Sequence, residues 1–359
     1  MKIILFAGGT GKRFWPVSRV KSPKQFLAII EDKPLLRIRY DLLREAFPAS
    51  DIFVSLGQQY RHEVEQIIPE LPKENIIAEP MMRDTGPAVG LAIAYVTKMF
   101  PDEVIMTQWT DHHIKDPIAF ITAIKKAEEV VKQEKKTVFL AVPARFPSPH
   151  RGYIHFGKVL DSQYGGQIKL AEFERFVEKP TMEVAKEYIA AGTYGWNPGY
   201  WAAFGQDFLK GYKDSAREIY DVVTEMVESD FSEESCEKFS KLEKISADYA
   251  YAEYLKPEDA RVLLADIGWS DIGEWIALKE TLESSPESNV AIGPAKDMGS
   301  EDTLIYNTEA DKLVVTIGLK GFVVVNTKDV VAIFHKNDNT KLKEFLAQLE
   351  KDPSTVIYL

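Results

Sequence analysis

Three glycines and two cations carry the first recognisable chemistry in this sequence: Gly8-Gly9-Thr10-Gly11-Lys12-Arg13, with Lys24 shortly after. Glycines that follow an apolar strand let backbone N–H groups approach a phosphate with no Cβ in the way. Arg13 and Lys24 can then neutralise polyphosphate charge and the charge that develops at phosphorus during displacement. The commoner phosphate loops do not fit. A Walker A loop needs glycine where Phe6 stands and Ser or Thr where Arg13 stands, and a dinucleotide fingerprint needs glycine where Phe14 stands.

Two acids follow strand-like runs. Asp111 lies in Gln108-Trp109-Thr110-Asp111-His112-His113, and Asp271 in Trp269-Ser270-Asp271-Ile272-Gly273. A carboxylate facing a phosphate crevice suits Mg²⁺, which bridges carboxylate and phosphate oxygens. Asp271 also fits a turn or a helix cap. His112 and His113 have no further His or Cys at zinc spacing and read as loop residues. In Glu79-Pro80-Met81-Met82-Arg83-Asp84-Thr85-Gly86-Pro87, Asp84 or Thr85 suits a helix cap with Pro87 in the first turn. Glu178-Lys179 at a strand end reads, on its own, as a surface ion pair worth little.

These residues need elements to hold them. Apolar runs predict strands at 2–7, 52–56, 76–78, 104–108 and 138–142. Amphipathic spacing predicts helices at 35–47, 60–68, 87–99 and 118–131. This alternation predicts an α/β fold with a mixed, mostly parallel sheet covered by helices on both faces. Ligands of such sheets bind beyond the carboxyl ends of the strands, where the glycine loop and Asp111 both fall. Further strands are expected at 153–160, 172–178, 200–204 and 262–265, with helices at 182–191 and 219–227. A Ser-, Pro-, Asn- and Gly-rich stretch at 283–299 reads as a linker. Beyond it lie strand-like runs at 303–306, 313–316, 322–325 and 330–334 and a terminal helix near 339–349. The expected division is a catalytic domain over 1–285 and a small β-rich domain with a terminal helix over 286–359.

The chain has 359 residues and a formal net charge of −11, which disfavours general nucleic-acid binding. Its single cysteine, Cys236, excludes an intramolecular disulfide and points to a reducing, cytoplasmic setting. The first apolar run is too short to span a membrane.

The block from Gly8 to Arg19 with Pro23-Lys24-Gln25-Phe26 closely resembles the signature of mannose-1-phosphate guanylyltransferases, also called GDP-mannose pyrophosphorylases. The resemblance implies a Rossmann-like nucleotidyltransferase fold and transfer from GTP to mannose 1-phosphate, with Mg²⁺ as cofactor and diphosphate released. It places Gly8, Gly9 and Gly11 on the nucleotide phosphates, and Arg13 and Lys24 at the phosphoryl centre. The segment from Glu79 to Pro87 is similar to the family's guanine-reading loop, which implies nucleotide contacts for Glu79, Arg83, Asp84, Thr85 and Pro87, with Gln108 beside them. The family's metal aspartates match Asp111 and Asp271. Its sugar-phosphate ligands match Gly152, Tyr153, Glu178, Lys179 and Asn197.

Four departures from the family pattern stand out. Most members have alanine at Gly86 and small residues at Trp109-Thr110. Serine is usual at Pro198, and a segment reading Pro-Glu-Thr-Gly-Tyr-Gly-Tyr-Ile aligns with residues 147–154, where Ser148, Pro149, His150 and Arg151 differ. This last change leaves the same chemistry on another sugar phosphate or with another nucleotide as the nearest alternative. A non-catalytic nucleotide-sugar-binding homologue is a separate alternative, disfavoured because Asp111, Asp271, Arg13, Lys24 and Lys179 are all retained. Ser246–Ala250 also resembles a family segment, with no role assigned. Many bacterial relatives carry a further phosphomannose isomerase domain. No room for it remains before Leu359, so a single activity is expected. Runs such as Phe322–Val325 suit a sheet cover or a homodimer contact.

Overall fold

The computed structural model describes residues 1–9, 12–19, 21–30, 32–164, 167–339 and 341–359, without the side chains of Lys12, Gln163 and Tyr164. The chain packs as two compact units, each assembled from discontinuous segments. The first comprises Met1–Gly8, Arg39–Thr110 and Ile114–Trp269, and the second comprises Gly9–Ile38, Asp111–His113 and Ser270–Leu359.

The first unit is built on a nine-stranded sheet. Its strands are β1 (Lys2–Phe6), β2 (Ile52–Gly57), β3 (Ile76–Glu79), β4 (Val104–Trp109), β5 (Thr137–Pro143), β6 (Tyr153–Tyr164), β7 (Ile168–Val177), β8 (Tyr194–Phe204) and β9 (Ala260–Ala265). The spatial order is β3-β2-β1-β4-β8-β5-β9-β7-β6. β7 and β8 run against the other strands, so the sheet is mixed but mostly of one direction. β1 and β2 are buried along their whole length, as expected of central strands covered on both faces.

Successive side chains of a strand point to opposite faces. On β8, Trp201 packs against Phe139 and Tyr251, whereas Tyr200 meets Phe120 of helix Pro117–Glu134. Helices therefore cover both faces. The side that carries Trp201 also holds α1 (Thr85–Met99), whose Val89, Leu91, Ile93 and Val96 share a core with Ile4, Phe6, Phe53 and Ile105.

Several elements differ from the sequence reading. Helices at Gly205–Ser215, Glu233–Lys241 and Trp275–Leu282 are additional. β8 begins at Tyr194 rather than at Tyr200. His112–Ile114 is a short strand rather than a loop.

The stretch at 283–299 is not a bare linker. Within the second unit it contains β10 (Val290–Ile292) and β11 (Ala295–Met298). These are followed by β12 (Leu304–Asn307), β13 (Val314–Ile317), β14 (Phe322–Asn326) and β15 (Val331–His335). The chain alternates between two small sheets, pairing β10–β12–β14 in parallel in one and β11–β13 in parallel in the other. Residues 286–359 share this unit with the segment after the glycine turn. Phe14, Trp15, Ile29 and Leu35 enter one core with Trp275, Leu278, Leu304, Tyr306 and Val323. Indole Nε1 of Trp275 donates to the Trp15 carbonyl at 3.0 Å, and the Tyr306 hydroxyl donates to the Ala28 carbonyl at 3.2 Å. Among the described residues, no helix is long and apolar enough to cross a membrane.

Candidate active site

In the second unit the structure brings together residues far apart in sequence. Lys24 sits in a short 3-10 turn after Pro23 and is almost fully buried. Its Nζ lies 2.7 Å from Asp111 Oδ2 and donates to the Ile272 carbonyl at 3.1 Å. The Ile272 N–H donates to the Asp111 carbonyl at 3.3 Å, which fastens the segment bearing Asp271 to the one bearing Asp111. A Cβ on Gly273 would lie 3.1 Å from Arg13 Nη1 and 3.2 Å from Asp271 Oδ1, so the exposed Arg13 guanidinium and the Asp271 carboxylate border the same glycine. Gly9 turns with φ of +101°, a conformation that favours glycine, and its carbonyl accepts from Gln25 at 3.3 Å. Gly11 lies outside the described residues.

Burial alone would raise the Asp111 carboxyl. The charges of Lys24 and His112 outweigh burial and hold it well below the usual carboxylate range. Asp111 is therefore ionised at neutral pH, and its hard oxygens suit a small divalent cation.

The first unit holds two further groups. At the carboxyl end of β3, burial pushes the Glu79 carboxyl up to about 7, with Ser55 offsetting part of the effect. Asp84 caps α1 by accepting from the Thr85 N–H at 2.7 Å, and Pro87 lies in the first turn. The Thr85 hydroxyl accepts from the Ala247 N–H at 2.9 Å. Arg83 is half-buried, and its Nε has no hydrogen-bond partner among the described residues. Gln108, at the end of β4, is fully buried, with neither amide atom bonded among the described residues. Gly8 follows β1 and is exposed, with open space where a Cβ would point.

The other group gathers where β6, β7 and β8 meet. Glu178 and Lys179 form an ion pair of 2.5 Å, and Lys179 adopts φ of +46°, strained for a non-glycine residue. A Cβ on Gly152 would lie 2.5 Å from Glu178 Oε2, so glycine there makes room for the carboxylate. The Asn197 N–H donates to the Gly152 carbonyl at 2.9 Å. Its side chain donates to Asp248 at 3.0 Å, a residue the motifs had left without a role. Tyr153 is wholly buried, and its hydroxyl both accepts from and donates to the Ser148 backbone, which shapes the 147–151 loop.

A family model for nucleotidyl transferases matches residues 2–287. The mannose-1-phosphate guanylyltransferase of Escherichia coli strain K12 is 33% identical over 97% of this chain and 73% of its own length. The ManC protein of Salmonella typhimurium, which carries the same name, is also 33% identical, over 97% of this chain and 73% of its own. The chain belongs to the mannose-1-phosphate guanylyltransferase family of nucleotidyl transferases. A crystal structure described as mannose-1-phosphate geranyltransferase from Thermus thermophilus superposes with a TM-score of 0.86 at 27% identity, covering 97% of this chain and 99% of that one.

Three departures from the guanylyltransferase family pattern now have physical accounts. Trp109 packs on Phe6 with ring centroids 4.9 Å apart, and its Nε1 donates to the Gly199 carbonyl at 3.2 Å. Gly199, with φ of +73°, leaves no room for a Cβ beside that indole. Glycine at position 86 fits a close approach, because a Cβ there would lie 2.7 Å from the Ile245 carbonyl oxygen. Arg151, where family members have tyrosine, lies over Trp196 at 4.0 Å from the ring centroid, with Phe146 and Trp269 at 5.0 and 5.1 Å. Stacking of this kind fixes the plane of a guanidinium group. Nothing in the structure explains Pro198 in place of serine.

Proposed function

We propose that the chain transfers GMP from GTP to mannose 1-phosphate, forming GDP-mannose and diphosphate. Support comes from the family, whose relatives carry that name, and above all from Lys24 tying the Asp111 and Asp271 segments together. Asp111 and Asp271 would hold Mg²⁺. When bound, that ion would supply Lewis-acid neutralisation of phosphate charge.

A sugar phosphate is already an anion at neutral pH, so attack on the α-phosphorus needs no general base. The protein's work is positioning and charge neutralisation. The backbone at Gly8 and Gly9 admits the triphosphate, and the family resemblance assigns Gly11 to the same phosphates. Arg13 and Lys24 spread positive charge over the transferring phosphoryl group. Lys179 leaves Glu178 to meet the sugar phosphate, while Glu178 and Asn197 turn to the ring hydroxyls. Glu79, when ionised, accepts from the imino and amino N–H groups of guanine, with Arg83, Asp84, Thr85, Pro87 and Gln108 around the base. A panel of nucleotides and sugar 1-phosphates, read by diphosphate release, tests this assignment. Preference for GTP and mannose 1-phosphate supports it. Arg151 favours one other reading, the same transfer to a different sugar phosphate, which the panel would reveal as a stronger preference elsewhere.

A further inference from the structure

The hydrogen bonds of Asn197 show which part of it is free to meet a ligand. Its Oδ1 accepts from the Gly199 N–H at 2.9 Å and from Trp201 Nε1 at 3.0 Å. Its main-chain N–H is bound to the Gly152 carbonyl at 2.9 Å. One Nδ2–H goes to Asp248 Oδ1 at 3.0 Å. A carbonyl oxygen has two lone pairs, so Asn197 has no acceptor capacity left, only one remaining N–H. A sugar hydroxyl bound there finds a donor in Asn197 but must give its own proton elsewhere.

Asp248 lies beside that donor. It belongs to the short helix Ala247–Ala250, whose N-terminus Ser246 caps, and it is only partly exposed. A carboxylate accepts about four hydrogen bonds; Asn197 supplies one, and Ser246 and the main chain at Asp248 supply others, which leaves room for a further donor. Resting on the function proposed above, we infer that Asp248 is a specificity-determining residue. Asn197 Nδ2–H and the Asp248 carboxylate bracket one ring hydroxyl of the sugar phosphate, the amide donating to it and the carboxylate accepting from it. Glu178 and Lys179 face the same carboxylate. Burial and the Glu178 charge push Asp248 up to about 7, with Lys179 opposing. A hydroxyl donating to Asp248 would favour its charged form, so ligand and carboxylate stabilise one another.

The test uses monodeoxy analogues of mannose 1-phosphate with the full chain and its Asp248→Ala and Asp248→Asn variants. For the wild type, one deoxy position is expected to lower kcat/KM at least about tenfold, as loss of a hydrogen bond to a charged group does. The alanine variant should lose a similar factor on the parent sugar and nothing further on that one analogue. Asp248→Asn should fall between the two, and the KM for GTP should stay within about twofold throughout. Melting curves establish that each variant is folded. Equal penalties at every deoxy position in all three proteins overturn the inference, as does an unchanged KM for the parent sugar phosphate. If the wild type does not turn over mannose 1-phosphate at all, the proposed function and this inference fall together. Normal wild-type turnover with indifferent variants overturns the inference alone.

Discussion

The Lys24 ammonium lies 2.7 Å from the Asp111 carboxylate and also holds the Ile272 carbonyl, next to Asp271. One buried cation thus ties together the two segments whose acids are proposed to hold the metal. A lysine in this position keeps Asp111 ionised.

Replacing Asp111 with asparagine keeps the side-chain volume and an acceptor for Lys24 while removing the charge. Turnover should fall at least about a thousandfold, as when an electrostatic contact to the transferring group is lost. The melting temperature should move little, because Lys24 retains its bond to Ile272. Diphosphate release and a thermal melt on the same preparation check both halves.

Glu79 supplies a pH dependence of definite sign. Its carboxyl is pushed up to about 7 by burial, against an ordinary value of 4.5. Folding therefore disfavours its ionisation. As pH rises from 4.5 to about 7, this group costs the ligand-free protein stability. If guanine N–H groups donate to Glu79 as proposed, they need the ionised form, so GTP affinity should strengthen as pH rises toward about 7 and binding should release a proton at about pH 6. Calorimetry in buffers of different ionisation enthalpy measures that proton. Glu79→Gln should abolish its release and weaken GTP binding about tenfold or more.

Gly152→Ala places a methyl group 2.5 Å from Glu178 Oε2. The carboxylate must swing away, and Lys179 with it. The KM for the sugar phosphate should rise about tenfold, while the KM for GTP should stay near its original value. Initial-rate kinetics varying each substrate in turn separate the two.

Gly199→Ala tests the account of Trp109. Both the positive φ and the indole oppose a side chain at this position. A loss of at least about 2 kcal/mol is expected in chemical denaturation. Trp109→Ala in the same chain should recover part of that loss, because it removes the steric half of the penalty.

Much of the sheet was legible because its strands are short apolar runs bounded by turns, as in Lys2–Phe6 and Val104–Trp109. The helices at Gly205–Ser215 and Glu233–Lys241 were not, because each buries only a few residues, among them Phe208, Tyr212 and Phe239, within a polar sequence. Strands β10 and β11 were hidden by their brevity, and their turn-forming neighbours gave the stretch the composition of a linker. The motifs identified Lys24, Asp111 and Asp271 separately. Their convergence depends on long-range packing that no local pattern records. Asp248 lay within a segment similar to the family, yet only its bond to Asn197 suggested a role. The 285/286 division follows the chain, whereas compactness groups Gly9–Ile38 with Ser270–Leu359.

The most direct test of the central claim is diphosphate release from GTP and mannose 1-phosphate, with Mg²⁺ and with excess chelator. The account predicts diphosphate and GDP-mannose in equal amounts with Mg²⁺, and neither product with the chelator or without the sugar phosphate. Equal rates under chelation, or GTP breakdown that ignores the sugar phosphate, would contradict it.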